Sequence, residues 1–323
     1  MRITALVHGY PPLQNAGAEW MLHEILKHLK EWGHQIEVLL PISNIDAYEF
    51  EGIKVSQDVF YETKKKIQES DLMITHLDRT GKVLNYCEFY QKPFVQIVHN
   101  TNTYDIFNFK HKPVGQRFIY VVYNSNYTKN VLNYPNPGVV VHPPIDPKRY
   151  KVPRKGTKLT LINLFERKGG HFFHDLARLL PDYDFLGVEG GYGRQIKNGE
   201  MPNVEYMMNT PDARKIYSQT RILLMPSLYE SYGRTGVEAM VSGIPVIASP
   251  TPGLKESLGD AGIYCNVESP LAWIEAIKEL NDAEKYKKQA EKCIEHAKEV
   301  QKKTPVELDT MEHFFMDIIN KRI

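Results

Sequence analysis

The sequence predicts an α/β protein of two domains, each built on a parallel sheet with helices on its faces. Short apolar runs alternate with amphipathic helical segments, which is the rhythm of strand–helix–strand units. A proline-rich stretch over residues 134–158 interrupts this rhythm, which restarts after it. The length of 323 residues is comfortable for two domains of about 150 residues each.

The first half of the chain opens with a strand–helix–strand unit. The helix predicted over Gly17–Trp32 carries its apolar residues on one face and is closed by Gly33. Polar residues follow the strands, among them His76 and His99, and ligands of open α/β sheets bind at the carboxyl ends of strands. The predicted strands are Ile3–Val7, Ile36–Leu40, Leu72–Thr75, Phe94–Val98 and Ile119–Tyr123.

The second half repeats the alternation after the proline-rich stretch. Its predicted strands are Leu159–Ile162, Tyr183–Leu186, Ile222–Met225 and Ile244–Ala248. Its predicted helices are Gly170–Leu180, Arg234–Ser242 and three segments near Pro270–Leu280, Glu284–Val300 and Val306–Ile319. We therefore expect two α/β domains joined by a proline-rich hinge.

Composition excludes several classes of protein. Hydrophobic residues make up 42% and charged residues 24% of the chain, which is ordinary for a globular protein and excludes a disordered or collagen-like one. A net charge of +1 provides no overall field to hold nucleic acid or an anionic membrane. The cysteines Cys87, Cys265 and Cys293 form no CxxC pair, so neither a disulfide framework nor a zinc site is expected.

The apolar runs of the sequence are short. The run at residues 3–7 is shorter than a signal-peptide core, and no run approaches the ~20 residues that a spanning helix needs. We expect a soluble, cytoplasmic protein with no stable membrane span, and we leave peripheral association with a membrane open.

The segment from Met225 to Ala248 carries the most informative chemistry. A strand ends at Met225, a loop holds Glu230, and a helix begins near Gly233. The amides of residues 233–236 would lie at the helix N-terminus, where free N–H groups and the helix dipole favour an anion such as a diphosphate. Glu230 and Glu238 would flank that anion and accept hydrogen bonds from sugar hydroxyls. The plainer interpretation is that Glu238 complements the helix dipole and Glu230 is a solvated loop charge.

Several residues around this segment match one family of enzymes. They are Pro226-Ser227, Glu230, Gly233, Glu238-Ala239 and Gly243-Ile244-Pro245-Val246-Ile247-Ala248. The pattern resembles the E-x7-E region of family 4 glycosyltransferases (glycosyl transferases group 1), which retain anomeric configuration and have the GT-B fold. The resemblance continues at Tyr10-Pro11-Pro12 with Ala16-Gly17-Ala18-Glu19, at Val98-His99-Asn100 and at Asn163-Leu164-Phe165-Glu166-Arg167-Lys168-Gly169-Gly170.

The resemblance implies a role for each matched residue. Lys168, with the helix amides, would stabilise the charge of a leaving nucleoside diphosphate. Glu238 would bind the ribose hydroxyls, Glu230 the transferred sugar, and His99 the sugar or a nearby acceptor group. We therefore predict that His99, Lys168 and Glu230 are catalytic. The predicted donor-binding residues are Gly17, Asn163, Arg167, Lys168, Tyr232, Gly233, Arg234, Thr235 and Glu238.

Two positions depart from the family pattern. Ala16 replaces the first glycine of the amino-terminal glycine-rich loop, although Gly17 still opens a helix after the first strand. Asn163 stands where the family often has an arginine, and Arg167 is a nearby cation that can compensate.

The resemblance also implies a domain plan and a reaction. Residues 1–150 would form an acceptor-binding domain and residues 151–304 a nucleotide-sugar-binding domain, both Rossmann-like and facing across a cleft, with a helix over residues 305–323 crossing back to the first. The predicted reaction moves a hexose from a UDP-sugar such as UDP-glucose, or second from a GDP-sugar, to an acceptor hydroxyl with retention. We expect no metal and no cofactor. The acceptor stays open between a glycan, a lipid-linked sugar, a small aglycone and a modified nucleic acid.

Other functions remain as alternatives. They are a sugar-nucleotide epimerase or a phosphorolytic enzyme of the same fold, and a non-catalytic glycan-binding module.

His8 and His76 are weaker site candidates than His99. Asp182-Tyr183-Asp184 opens a predicted strand, at the end away from the ligand crevice, and is interpreted as structural rather than as a metal site. The basic and aromatic residues Phe107, Phe109, Lys110, Lys112, Arg117 and Phe118 are interpreted as a solvated loop rather than as a lipid or acceptor contact.

Overall fold

A computed structural model describes residues 1–41, 46–101, 118–199 and 201–321. The predicted basic and aromatic loop lies outside the described residues, apart from Phe118. The described chain divides into two compact units. Unit 1 contains Met1–Gln14, Ala18–Pro144 and Thr304–Ile323, and unit 2 contains Asn15–Gly17 and Ile145–Lys303.

Unit 1 is built on one sheet, to which the described residues contribute eight strands. The strands are β1 (Arg2–Leu6), β2 (Gln35–Pro41), β3 (Tyr48–Phe50), β4 (Ile53–Asp58), β5 (Leu72–His76), β6 (Phe94–Val98), β7 (Ile119–Tyr123) and β8 (Gly138–Val140). Their order is β3-β4-β2-β1-β5-β6-β7-β8, and the pairs are parallel except for the antiparallel β3–β4 pair. Parallel pairing brings the carboxyl ends of β1, β5 and β6 to one edge of the sheet.

Within the described part of unit 1, four helices connect or follow these strands: α1 (Gly17–Glu31), α2 (Phe60–Glu69), α3 (Thr80–Tyr90) and α4 (Asn126–Leu132). The first helix was predicted to end at Trp32, and in the structure it ends one residue earlier, at Glu31. Its buried face, which includes Leu22 and Ile25, packs on the core formed with β1 and β5. This packing follows from the apolar spacing of three and four residues in the sequence.

Unit 2 is built on a second parallel sheet. Its described strands are β9 (Lys158–Ile162), β10 (Phe185–Val188), β11 (Val204–Met207), β12 (Thr220–Met225), β13 (Val246–Ala248) and β14 (Ile263–Tyr264), in the order β11-β10-β9-β12-β13-β14. Its helices are α5 (Pro147–Tyr150), α6 (Gly170–Leu179), α7 (Arg214–Tyr217), α8 (Arg234–Met240), α9 (Pro252–Leu258) and α10 (Pro270–Glu279). Short 3₁₀ turns lie at Leu77–Arg79, Glu166–Lys168 and Gly259–Ala261.

The predicted strands agree with the structure to within two residues at each end. The strands Phe94–Val98 and Ile119–Tyr123 have the predicted bounds. The strand predicted over Tyr183–Leu186 lies at Phe185–Val188, because the Tyr183 amide donates to the Leu180 carbonyl and closes a turn first. The predicted α/β class with two parallel-sheet domains is confirmed.

The end of the chain differs from the prediction of two separate helices. One helix, α11, runs over Ala283–Ile319 with Pro305 inside it. Its first part buries Ala290, Cys293 and Ala297 in unit 2, and its last part buries Leu308, Met311, Phe315 and Ile318 in unit 1. A proline costs an interior helix about 3 kcal/mol, and the apolar surface buried on both sides of Pro305 offsets that cost.

Candidate functional site

Lys168 and Glu230 form an ion pair at the carboxyl edge of the second sheet. Lys168 ends the 3₁₀ turn after β9, and Glu230 lies in the loop after β12. The Lys168 Nζ is 2.5 Å from the Glu230 Oε1, which also accepts a hydrogen bond from the Ser227 hydroxyl at 3.0 Å. Burial disfavours the ammonium charge, but the Glu230 carboxylate outweighs it and raises the pKa of Lys168. The structure therefore brings together two residues that the sequence had placed in separate roles.

The two loops that carry this pair touch through their backbones. Gly169, at φ +88°, has no room for a side chain, because a Cβ there would lie 2.5 Å from the Pro226 carbonyl oxygen. The Leu228 amide donates to the Arg167 carbonyl at 3.0 Å. Because β9 and β12 pair with each other in the sheet, the loops that follow these two strands lie side by side.

A third segment supports the loop of Glu230 from the other side. Gly253, in the first turn of α9, approaches so closely that a Cβ there would lie 2.2 Å from the Glu230 carbonyl oxygen. The Glu230 side chain is 9% exposed, so its carboxylate faces the ion pair and the protein interior rather than open solvent. The position of this carboxylate is thus set by three neighbouring loops.

Arg167 lies beside Lys168 and stacks on two aromatic rings. Its guanidinium carbon is 5.4 Å from the centre of the Tyr229 ring and 5.9 Å from that of Phe165. The Arg167 Nε is buried and has no hydrogen-bond partner among the described residues. Stacking holds a guanidinium plane while leaving its N–H groups available to an oxyanion.

Glu238 takes part in a buried network on α8. Its Oε1 accepts from the Arg234 Nε at 2.6 Å, and its Oε2 accepts from the Tyr217 hydroxyl at 2.8 Å. Arg234 also donates to the Tyr150 hydroxyl at 2.7 Å. Burial and the Glu238 charge together raise the pKa of Tyr217 well above its usual value. Each carboxylate oxygen has a second lone pair, so binding of ribose hydroxyls by Glu238 stays a prediction alongside this network.

The start of α8 differs in part from the predicted anion site. Gly233 caps the helix at φ +88°, and a Cβ there would lie 2.4 Å from a methyl carbon of Leu254. The Gly236 amide donates to the Gly233 carbonyl at 3.0 Å, so it is not one of the free amides that the sequence suggested. Tyr232 packs in the core of unit 2, and Thr235 lies in the first turn of α8. Donor binding by Tyr232, Gly233, Arg234 and Thr235 stays a prediction.

Asn163 forms a turn, and its side-chain oxygen is bound within the loop. It follows β9 in the left-handed conformation at φ +72°, which asparagine tolerates better than most residues. Its Oδ1 accepts from the Phe165 amide at 3.2 Å and from the Gln195 Nε2 at 3.3 Å. A Cβ on Gly190 would collide with the Asn163 side chain. These contacts give Asn163 a structural role in this loop, and its donor contact remains a prediction.

His99 follows β6 in unit 1 and is buried against a second histidine. Its Nε2 is 2.9 Å from the Nδ1 of His76, and its carbonyl oxygen accepts from the Asn124 side chain at 3.1 Å. Burial, with the charge of His8 second, lowers the pKa of His99 to about 3. The imidazole is therefore neutral near pH 7 and acts through hydrogen bonds rather than as a cation. Gly17 begins α1, and a Cβ there would have no neighbour within 4 Å.

Sequence reasoning missed the grouping of His8, Glu19 and His76. The His8 Nε2 is 3.0 Å from the Glu19 Oε1. That contact is the main cause of the raised pKa of His8, while Glu19 keeps a lowered pKa although burial opposes its charge. The signal was present, because His8 follows β1, His76 is the last residue of the neighbouring β5, and Glu19 lies in the first turn of α1.

The fold and the site together define a class of protein. The fold is GT-B, as shown by solved structures that align over nearly the whole chain. Sucrose-phosphate synthase (tll1590) from Thermosynechococcus elongatus has a TM-score of 0.76 at 14% identity, covering 99% of this chain and 100% of that one. Anabaena Alr3699/HepE, solved in complex with UDP-glucose, has a TM-score of 0.75 at 16% identity, covering 99% and 100%.

The family comparison then singles out unit 2. Residues 164–282 match the family model described as glycosyl transferases group 1, a range that contains Arg167, Lys168, Glu230 and Glu238. A curated relative is the D-inositol 3-phosphate glycosyltransferase of Corynebacterium glutamicum (strain R), 35% identical over 86 residues, or 26% of this chain. The aligned part spans 21% of that relative's length. Among the described residues, no helix is both long and apolar enough to cross a membrane.

Proposed function

We propose that the chain is a retaining glycosyltransferase of family 4 that moves a hexose from a nucleotide-diphospho-sugar to an acceptor hydroxyl. The buried Lys168–Glu230 ion pair carries the proposal, since it holds a cation next to a carboxylate that can accept hydrogen bonds from sugar hydroxyls, inside the segment that matches the family model. The favoured donor is a UDP-sugar such as UDP-glucose, because a structural neighbour was solved with UDP-glucose. A GDP-sugar is the second choice.

The donor would rearrange the ion pair as it binds. A diphosphate carries more negative charge than one carboxylate, so it replaces Glu230 as the partner of Lys168. Glu230 then accepts hydrogen bonds from hydroxyls of the sugar to be transferred. Arg167, held by Tyr229 and Phe165, supplies a second cation with N–H groups for the phosphate oxygens. In this assignment, Arg167 makes the phosphate contact that the family often makes with an arginine at the position of Asn163.

Stabilisation of the leaving group is then the main catalytic task. As the bond between the anomeric carbon and the phosphate oxygen breaks, negative charge builds on the diphosphate, where Lys168 is already placed. The acceptor hydroxyl attacks the same face of the sugar and gives its proton to the departing phosphate oxygen. Configuration is therefore retained, and no metal or cofactor takes part in this step. The neutral imidazole of His99 holds a sugar or acceptor hydroxyl by a hydrogen bond.

The proposal also assigns a different substrate to each domain. Residues 151–304 bind the nucleotide-sugar, and residues 1–150 bind the acceptor, which is a glycan, a lipid-linked sugar, a small aglycone or a modified nucleic acid. The last part of α11, after Pro305, belongs to the acceptor-binding domain. The proposed location is the cytoplasm, with or without peripheral contact to a membrane.

A thermal-shift panel of nucleotide-sugars without acceptor tests this function. A ligand at 100 times its Kd adds about 2.7 kcal/mol of stability, which raises the melting temperature measurably. The matched controls are the free sugars and UDP alone, and mass spectrometry identifies the products. We expect one nucleotide-sugar to raise the melting temperature and to release its diphosphate slowly.

Other results of the panel would replace the proposal. Conversion of the nucleotide-sugar to its epimer would identify an epimerase, and turnover that depends on inorganic phosphate would identify a phosphorolytic enzyme. A shift with glycans but with no nucleotide-sugar would indicate a binding module.

A further inference from the structure

We infer that His8, Glu19 and His76 form a binding site for a divalent transition-metal ion of the zinc type. One ligand atom from each of the three residues lies within 4.8 Å of the other two. The three residues come from separate parts of unit 1, after β1, in the first turn of α1 and at the end of β5. The sheet and α1 therefore hold the ligand set in place.

Buried ligand atoms in this group have no other partner. The Nδ1 of His76 contacts His99, so Nε2 is its available nitrogen, and this nitrogen is buried without a hydrogen-bond partner. The Glu19 Oε2 is also buried without a partner. Both residues are almost fully buried. Because buried polar atoms are normally satisfied, two such atoms in one cluster indicate a missing ligand.

Both histidines also have a neighbour on the nitrogen that faces away from the proposed ion. The His99 Nε2 forms a hydrogen bond with the Nδ1 of His76 at 2.9 Å, whereas the Asp78 Oδ1 lies 3.2 Å from the Nδ1 of His8 without hydrogen-bond geometry. Histidines that bind metals nearly always have such a partner on the second nitrogen, because it fixes the ring orientation. His76 thus has the outer contact of a metal-binding histidine, and the Asp78 carboxylate lies beside the corresponding nitrogen of His8.

The donor set selects the kind of ion. Two imidazoles and one carboxylate suit zinc and similar ions, whereas magnesium and calcium prefer oxygen ligands alone. The His8 Nε2 and Glu19 Oε1 are 3.0 Å apart. Ligands on a tetrahedral ion at about 2.0–2.1 Å would be roughly 3.3 Å apart, so this pair already has suitable spacing. The ligand atoms of the three residues lie within 4.8 Å of one another, and binding would draw them closer together. Three protein ligands leave a fourth position open.

A bound ion would act on His99 through His76. An ion on the Nε2 of His76 leaves the proton on its Nδ1, which then donates to the Nε2 of His99. The remaining proton of His99 is thereby fixed on Nδ1. The site would set the tautomer of the histidine that the proposed function places near the sugar.

Zinc binding by the full chain, freed of metal with a chelator, tests the inference. Competition with a chromogenic chelator gives the Kd, and cobalt(II) replaces zinc to give a visible absorption band. We expect one tightly bound ion per chain. Glu19→Gln keeps the shape of the buried side chain, and His8→Asn changes a side chain that is 27% exposed, so both variants should fold. Each removes a ligand and should weaken zinc binding by more than a hundredfold, beyond the ten- to hundredfold typical of lost outer contacts.

Two further variants separate a built site from chance binding. Asp78→Asn removes only an outer contact and should weaken zinc binding ten- to a hundredfold. His313→Ala removes an exposed histidine of α11 and should leave the Kd unchanged. The inference is overturned if the wild-type chain binds no zinc in the micromolar range, or if Glu19→Gln and His8→Asn bind it as tightly as the wild type. These measurements use no nucleotide-sugar, so their outcome is separate from that of the thermal-shift panel.

Discussion

Lys168 and Glu230 are 62 residues apart in the sequence and 2.5 Å apart in the structure. A buried ion pair contributes little net stability, because the cost of removing both charges from water offsets their attraction. In this site, the ion pair keeps the Lys168 ammonium charged in a largely buried position before substrate binds. The Lys168 side chain is 19% exposed, which leaves a face open to a ligand.

Replacing Lys168 tests this role at the scale of one residue. Lys168→Ala should lower kcat about 10²–10³-fold, since removal of one charge-stabilising donor typically costs about 2.7–4 kcal/mol in the transition state. Nucleoside binding, measured by calorimetry, should change far less. Lys158→Ala is the matched control, because Lys158 also pairs with a glutamate, Glu205, in unit 2. Equal losses in turnover and in nucleoside affinity would contradict the assignment.

The sequence suggested roles for single residues but not the partners of those residues. Lys168, Glu230 and His99 were predicted as site residues from motif resemblance, and the contacts of these residues with Ser227 and His76 were not. Nothing in the local sequence reveals that Asn163 turns the chain or that Glu238 bonds Tyr217, since both contacts depend on how distant loops meet. The cluster of His8, Glu19 and His76 was missed for the same reason, since its residues are distant in the sequence.

At the scale of elements, close backbone approach positions the loops of the site. Gly169 and Gly253 lie where neighbouring carbonyl oxygens leave no space for a Cβ. Their glycine identity follows from this contact, which a sequence shows only as a glycine near a helix start. The short elements β3, β4 and α2 were not predicted, because their apolar residues are interleaved with charged ones such as Glu49, Lys54 and Lys64.

Gly253→Ala tests the support of the Glu230 loop. The new methyl would press on the Glu230 carbonyl oxygen at 2.2 Å, so we expect a loss of about 1–3 kcal/mol in the free energy of unfolding and a weaker nucleotide-sugar shift. Gly17→Ala is the control for stability, because a Cβ there has no neighbour within 4 Å. Denaturant unfolding measures both variants. If the Gly253→Ala variant is as stable as the wild type, the loop that carries Glu230 can shift without a cost in stability, and close approach of Gly253 does not fix its position.

At the scale of the whole molecule, the fold class was predictable because it depends on a repeated pattern rather than on single contacts. The alternation of strands and helices on both sides of the prolines sufficed to indicate two parallel-sheet domains. The continuity of α11 was not predictable, since Pro305 is a sound signal for a helix end when only the local sequence is considered.

Phe315→Ala tests the contribution of α11 to unit 1. Phe315 is fully buried in the core of that unit, so the change should lower the free energy of unfolding by about 3–5 kcal/mol. Val306→Ala is the control on the same helix, because Val306 is 64% exposed and its change should stay within about 0.5 kcal/mol. Calorimetry or denaturant unfolding measures both. A small effect of Phe315→Ala would show that the unit 1 core does not depend on this helix.

The last part of α11 also has a consequence for the order in which the chain folds as it is made. The core of unit 1 contains residues from the first 144 positions together with Leu308, Met311, Phe315 and Ile318. A ribosome releases the first set long before the second, whereas residues 145–303 of unit 2 emerge as one nearly complete stretch. Unit 2 should therefore reach its native state first, and the earlier-made unit 1 must wait for the last helical turns before its core closes.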